Sequence, residues 1–261
     1  MSLLHSDTQS QNSPQSSAEN DDSFNQERER IHRKVLSSVS HDLKTPLASI
    51  IGSLEIYERM KDKLPADRQR ALIQVALQEA YRLDSFVTNI LDMAKLESST
   101  VKLQSEAIEI GSVIKNCTMR LTNRLKDCTV NINPASGPCE GFADSALLNR
   151  VIGLILDNAV KYGGRPPIID IEFGNDTDQI AFIEIRDNGA GVPDPQMEKI
   201  FMKYTRFAKE DQQSAGTGLG LSIGREIMRL LGGDLTVKNN PNGGAIFTMR
   251  FPLTQQSARL T

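Results

Sequence analysis

The sequence predicts a multidomain chain, α followed by α+β. An antiparallel helical hairpin that pairs with a second copy as a four-helix bundle precedes a mixed α/β unit. Three observations carry this. Leu36, Val39, Leu43, Leu47, Ile50, Leu54 and Tyr57 recur at spacings of three and four, which at about 100° per residue gathers them within roughly 80° of one another. Beyond Pro65, the series Ile73, Ala76, Ala80, Leu83, Val87, Ile90 and Ala94 repeats the pattern without a slip. After Leu96-Glu97-Ser98-Ser99 the chain changes to short runs that alternate strand-like and helix-like periods.

The elements follow in order. Residues 1–26 are dominated by Ser, Gln, Asn and Asp and read as a disordered leader or linker, too polar to form a core. Residues 27–98 form the hairpin, in which Pro65 stops the first helix and Ala66-Asp67 starts the second. Val35, Ile51 and Ile56 widen the first apolar stripe, as a helix touching two neighbours requires. Each helix, at about 30 residues, is about 45 Å long. One hairpin leaves its stripes wet; two copies cover them, so a homodimer is expected.

Residues 99–254 form the second unit, at roughly 155 residues large enough for its own core, and 255–261 are a tail. AIEIGSVIKNCTMRLTNRLKD reads as a strand and a helix, and TVNINP as a strand. Asp144 caps a helix through ALLNRVIGLILDNAVKYG. IIDIEFG and IAFIEIRD are strands with a turn placed at Asn175-Asp176. A polar loop spans 203–216, and a helix runs from Leu219 to Leu231 until Gly232-Gly233 ends it. DLTVKN and AIFTMRF close the unit as a hairpin around Asn242-Gly243-Gly244.

Composition excludes several function classes. With 30 Lys+Arg against 33 Asp+Glu, the net charge of -3 does not suit a sequence-independent nucleic-acid binder, which wants a cationic excess. No apolar run approaches the ~18 residues that cross a bilayer, and the start MSLLHSDTQS lacks a secretory signal. The expectation is a soluble cytoplasmic chain without membrane contact of its own, either whole or the cytosolic end of a longer receptor. Cys117, Cys128 and Cys139 form no C-x-x-C pair, which argues for plain thiols in a reducing compartment over a zinc site.

Three histidines separate by position. His5 falls in the leader, and His32 lies inside the apolar stripe as a packed side chain. His41 points away from the stripe, which fits either a solvated surface histidine or a reactive one. Its neighbours favour reactivity. Asp42 can fix the tautomer of the imidazole and raise the nucleophilicity of its other nitrogen. Thr45 shares the same face, and Ser37, Ser38 and Lys44 keep it small and polar. Pro46 costs the helix about 3 kcal/mol, a defect better explained beside a nucleophile than beside an inert residue.

A second constellation suits a nucleotide. In LDNAVKYG, Asn158 offers an oxygen for Mg²⁺, Lys161 a cation for phosphate and Tyr162 an aromatic face for a base; alone, such an Asn is also an ordinary helix residue. Asp187-Asn188-Gly189-Ala190-Gly191 ends a strand, where a carboxylate can accept the exocyclic amine of adenine and Gly189 and Gly191 admit the ring closely. A glycine turn with a capping Asp is the plainer alternative. Gly216-Thr217-Gly218-Leu219-Gly220-Leu221 opens a helix whose positive end can hold an anion. Between the two, Phe201, Tyr204 and Arg206 with KEDQQSAG suggest a mobile lid carrying a phosphate-reaching arginine.

SHDLKTPL (Ser40 to Leu47), DNAVKY, DNGAG, Phe201 with Arg206, and GTGLGL stand in an order that resembles the bacterial two-component sensor histidine kinases, over about residues 27–253. The resemblance implies a dimerising, histidine-bearing hairpin and an ATP-binding α/β sandwich of the kind shared with gyrase and MutL. By matching positions it implies that His41 accepts the γ-phosphoryl group of ATP, with Asp42 assisting as base. Thr45 would position the water that dephosphorylates a response-regulator receiver domain, the expected partner. Asn158 would hold Mg²⁺ and Asp187 recognise adenine. Lys161, Tyr162 and Arg206 would complete the site, with Gly189, Gly191, Gly216, Gly218, Leu219 and Gly220 shaping it. One departure is Leu154, where the family often has a second Asn one turn before Asn158; altered nucleotide affinity is the expected result. Ala245, where the family often has Thr, is expected to be harmless. A nucleotide-binding docking module without catalysis and an ATP-gated clamp are the rival readings.

Overall fold

The structure is a computed structural model that describes residues 40, 42–98, 101–135, 139–177, 179–205 and 218–254. His41, Arg206 and Gly216 lie outside the described residues, as do His5, His32, the 1–26 leader and the 255–261 tail. The chain divides into two compact units between Leu83 and Asp84. That division falls inside a helix, while the change of sequence character lies near that helix's end.

In the first unit, helix α1 runs through residues 42–60 and α2 starts at Ala66, extending as Ala66–Glu97 into the second unit. Pro65 stands immediately before α2, where its missing N–H costs nothing. The turn between the helices is stapled by Gln69, whose Nε2 donates to the carbonyls of Lys61 at 2.7 Å and Leu64 at 2.9 Å. α1 continues through a buried Pro46. Of the predicted stripe, Leu47 and Leu54 are 47% exposed and Ile73 39%, far more than a core position tolerates.

The second unit begins with the last turns of α2, where Phe86, Asn89 and Met93 are buried. Arg150 donates from Nε to Asp92 at 2.8 Å and from Nη2 to Asn89 at 2.6 Å. The elements then run β1 (Glu106–Glu109), α3 (Ile110–Arg120), α4 (Thr122–Leu125), β2 (Thr129–Pro134), β3 (Glu140–Ala143), α5 (Ser145–Tyr162), β4 (Ile168–Thr177), β5 (Ile180–Asp187), two short 3₁₀ turns (Asp194–Gln196 and Lys199–Phe201), α6 (Gly220–Leu230), β6 (Asp234–Asn239) and β7 (Ala245–Pro252).

Five strands form one mixed sheet in the order β2-β4-β5-β7-β6, with β2 parallel to β4 and the other pairs antiparallel. β1 and β3 form a separate antiparallel pair. Alternation decides which face is covered. Ile169, Ile171 and Phe173 of β4 and Ala181, Ile183 and Ile185 of β5 are buried with Ile114, Leu148, Ile152, Ile155, Ile223 and Ile227 of the three long helices. The opposite face is polar: Arg186 contacts Glu172 and Glu184, each at 2.6 Å. This is a two-layer arrangement, with the functional residues at one end of its sheet.

Two features depart from the sequence reading. The strand β3 was not expected; Glu-Gly-Phe-Ala is too short for a period to show. The turn placed at Asn175-Asp176 lies later, because both residues belong to β4, with a register shift between Asn175 and Thr177. Each is held by a partner that local sequence cannot reveal. The thiol of Cys139 donates to Oδ1 of Asn175 at 2.6 Å, and Asp176 pairs with Arg250 of β7.

Candidate functional site

The site is built where β5 ends. Asp187 is 7% exposed, and its Oδ1 accepts the N–H groups of Gly189 at 2.9 Å and Ala245 at 3.2 Å. Both donors are main-chain groups, one in the turn after β5 and one at the start of β7, so the carboxylate is aimed by the backbone and not by a flexible partner. A Cβ on Gly244 would lie 1.9 Å from the carbonyl oxygen of Asp187, and one on Gly189 would lie 2.0 Å from that of Tyr162. No side chain fits at either position. The second contact brings the end of α5 against the end of β5, and with it Asn158, Lys161 and Tyr162.

Asn188 makes that juxtaposition rigid. Its Oδ1 accepts from the N–H groups of Gly164 and Ile168, both at 2.9 Å, and its Nδ2 donates to the carbonyl of Pro166 at 3.1 Å. One side chain thus satisfies three backbone groups of the loop after α5. Asn239 does the same for the next turn: Oδ1 accepts from the N–H of Val192 and Nδ2 donates to its carbonyl, each at 2.8 Å. Gly191, at φ +75, stacks on that amide; a Cβ there would meet its oxygen at 2.7 Å. Sequence reasoning missed both asparagines. The signal was present for Asn188, inside Asp-Asn-Gly, but reads as turn chemistry; Asn239 carried none.

α5 is capped as expected, with Oδ1 of Asp144 accepting from Ala146 at 3.0 Å and Leu147 at 3.1 Å. Near its C-terminal end, Asn158 is half-buried while Lys161 and Tyr162 are exposed. The neighbouring Asp157 is taken by Arg124, which reaches its two oxygens at 2.8 and 2.7 Å. Leu154 is buried, and a Cβ on Gly220 would sit 3.5 Å from its Cδ2. The residue that departs from the resemblance is therefore a core side chain beneath the start of α6.

Gly218 has φ +65, and a Cβ there would lie 2.8 Å from the carbonyl carbon of Tyr204. The N–H of Tyr204, itself at φ 62, donates to the carbonyl of Gly218 at 2.9 Å. Leu219 is fully buried, and its side chain belongs to the hydrophobic core. The N-cap residue of α6 is Leu219, whose own side chain makes no capping hydrogen bond. Asp42 and Thr45 lie on α1, half-buried and exposed. Among the described residues no group of three or more His, Cys, Asp or Glu could hold a metal, and none of their helices is long and apolar enough to cross a membrane.

A buried acid at a strand end, a glycine cradle and a basic helix end define a nucleotide-binding class of fold. The family of histidine kinase-, DNA gyrase B- and HSP90-like ATPases matches residues 143–255, and the His Kinase A (phospho-acceptor) domain matches residues 31–99. The chain belongs to the two-component sensor histidine kinases and carries their phospho-acceptor and ATPase domains.

The sensor protein KdpD of Escherichia coli is 34% identical over 234 residues, which is 89% of this chain and 25% of that protein. The signal transduction histidine-protein kinase AfsQ2 of Streptomyces coelicolor is 26% identical, over 86% of this chain and 42% of that protein. The chain thus spans less than half the length of either relative. Among solved structures, the histidine kinase ThkA in complex with the response regulator protein TrrA superposes with a TM-score of 0.65 at 22% identity, covering 90% of this chain and 67% of that one. The Acinetobacter baumannii histidine kinase AdeS gives 0.62 at 20%, covering 82% and 98%, and full-length ShkA in complex with AMPPNP gives 0.61 at 21%, covering 84% and 45%. At these identities the likeness is one of fold.

Proposed function

We propose that the chain is an ATP-dependent protein histidine kinase that phosphorylates itself on His41 and passes the phosphoryl group to an Asp of a response regulator. The observation that carries this reading is the buried carboxylate of Asp187, pinned through Oδ1 by two backbone N–H groups. That leaves Oδ2 as acceptor for the exocyclic amine of adenine, with Gly189 and Gly244 keeping the ring's approach clear. Asn158 and Lys161 stand one backbone contact away, at the right end of α5 for phosphates, and the start of α6 brings N–H groups that suit an anion. Mg²⁺ suits this set, because Asn158 gives one hard oxygen and the nucleotide's own phosphates would complete the shell; bound there, it neutralises phosphate charge.

Phosphoryl transfer asks chiefly for positioning and charge neutralisation. His41 attacks the γ-phosphorus as the bond to the β–γ bridging oxygen breaks, ADP leaves, and Asp42 takes the imidazole proton. The acceptor Asp of the regulator then takes the group from His41, and in a separate phosphatase reaction Thr45 orients the water that attacks the aspartyl phosphate, freeing inorganic phosphate and restoring the carboxylate. The exposed Leu47, Leu54 and Ile73 support a homodimer. The chain would act as the cytoplasmic part of a longer sensor. The resemblance of ThkA, solved with TrrA, to this fold supports the choice of partner.

One experiment tests the reading: incubation of the purified chain with γ-labelled ATP and Mg²⁺. An acid-labile, alkali-stable label that disappears in His41→Gln is expected. Nucleotide binding without label would favour a docking module, for which the buried Leu154 is the specific observation. ATP turnover unchanged in His41→Gln would instead indicate an ATP-gated clamp.

A further inference from the structure

Arg225, in the middle of α6, is the point where three segments meet. Its Nη1 donates to Glu198 at 2.8 Å, ahead of the second 3₁₀ turn. Its Nε and Nη2 reach Asp234 at the start of β6, at 3.1 and 3.4 Å. The flat of its guanidinium lies over the ring of Phe201, 4.7 Å from the centroid, and that ring is 8% exposed. Only a planar, five-donor group can satisfy two carboxylates at its edge and an aromatic ring on its face together. The arginine side chain is 18% exposed, but those of Glu198 and Asp234 are 80% and 43% exposed, so water screens the two ion pairs more than the contact with the buried ring.

What the clamp holds lies beside the nucleotide site. Phe201 is followed by Tyr204, whose N–H closes on the carbonyl of Gly218, and Gly218 admits no Cβ against Tyr204 and Thr205. Two residues at positive φ, Tyr204 and Gly218, are thus held back to back at the entrance to α6. Gly218 reaches its conformation freely, but a tyrosine at φ 62 is uncommon, so the packing around Tyr204 must enforce it.

We propose that Arg225 is a positioning residue for ATP: by fixing Phe201 and Glu198 to α6 it sets the Tyr204–Gly218 junction, and so the backbone donors at the start of α6 that face the phosphates. The inference rests on the ATP reading above. Arg225 touches no substrate in this role and acts through Phe201, Tyr204 and Gly218.

The test uses the full chain and three variants, Arg225→Lys, Phe201→Leu and the double variant. Lysine keeps the charge for Glu198 or Asp234 but loses the fork and the flat face; leucine keeps the burial and loses the ring. Each single variant is expected to raise the ATP dissociation constant about five- to tenfold, the scale of one lost cation–π contact in a partly dry setting. The double variant should be no worse than either single, because both break one contact. Without nucleotide, amide hydrogen exchange at Tyr204 should quicken in Arg225→Lys. A merely stabilising arginine would lower the melting temperature and leave both the dissociation constant and this exchange rate unchanged, which overturns the proposal. Additive losses in the double variant overturn it as well. Absence of ATP binding in the unaltered chain would overturn the ATP reading itself, a separate result from wild-type binding with variants that match it.

Discussion

At the residue scale, the proposed function gives the two oxygens of Asp187 different duties. Asp187→Asn keeps an acceptor for Gly189 and Ala245 but turns the other oxygen into a donor, facing the amine it should accept. ATP binding should weaken by about 10- to 100-fold, the range of a hydrogen bond to a charged group, in a calorimetric titration. A loss of less than about twofold would remove Asp187 from base recognition. The cysteines offer a second check. Burial pushes the Cys117 thiol up to about 11, and its Sγ–H donates to the carbonyl of Asn149 at 3.6 Å. At about pH 8 the native protein should therefore be alkylated at the half-buried Cys128 well before Cys117, read by peptide mass spectrometry. Asp187 and the glycines around it announce themselves in sequence as a turn cluster, and the structure packs them together at the end of β5. Asn188 and Asn239 do not announce themselves, because each works by binding backbone far away in sequence, and an asparagine in a turn looks the same whichever partner it has.

At the scale of elements, α3 is held at its start by a carboxylate. Glu109 accepts from Gly111 at 2.9 Å and Ser112 at 2.5 Å, and chiefly its bond with Ser112 holds its carboxyl below the ordinary carboxylate value. A depressed acid contributes its stability in full above the unfolded value and loses it as pH falls through the folded one. Glu109→Ala should thus cost about 1 kcal/mol at neutral pH, a difference that shrinks as acidification protonates the folded carboxyl, in thermal unfolding followed across pH. A gap that widened on acidification would contradict the cap. Most helices and strands were legible from period alone, as the Asp144 cap and the Asn242-Gly243-Gly244 turn illustrate. The last turns of α2 were not. Their buried side is set by Phe86, Asn89 and Met93, which follow a different line from the stripe of Ala80, Leu83 and Val87, because the helix acquires Arg150 as a neighbour there. A single period cannot report a change of partner midway along one helix.

At the scale of the whole molecule, the hairpin keeps large side chains in water. Leu54→Glu enters a two-fold interface twice, so the dimer should lose about 3–5 kcal/mol of apolar burial, and its dissociation constant should rise more than about 100-fold in sedimentation equilibrium. A dimer unchanged by this substitution would move the interface elsewhere. The paired arrangement of a helical unit before a mixed sheet was legible because the periods change abruptly after Ser99. The two-layer packing of the second unit was not read from period: it came from the resemblance, since strand order, with β4 between β2 and β5, needs the parallel pairing of β2 with β4, whose partners lie 39 residues apart.

The three hydrogen bonds of Asn188 also bear on how the protein ages. The chain has two Asn-Gly pairs, Asn188-Gly189 and Asn242-Gly243, the dipeptide most prone to deamidation because little shields the glycine nitrogen as it attacks the side-chain carbonyl. In the first pair that nitrogen's hydrogen is held by Asp187, and both ends of the amide are anchored to Gly164, Ile168 and Pro166. In the second the asparagine is exposed at the tip of the β6–β7 turn. Stored protein should accumulate isoaspartate at Asn242 first, two residues from the Gly244 that packs against Asp187, while the anchored Asn188 keeps its amide.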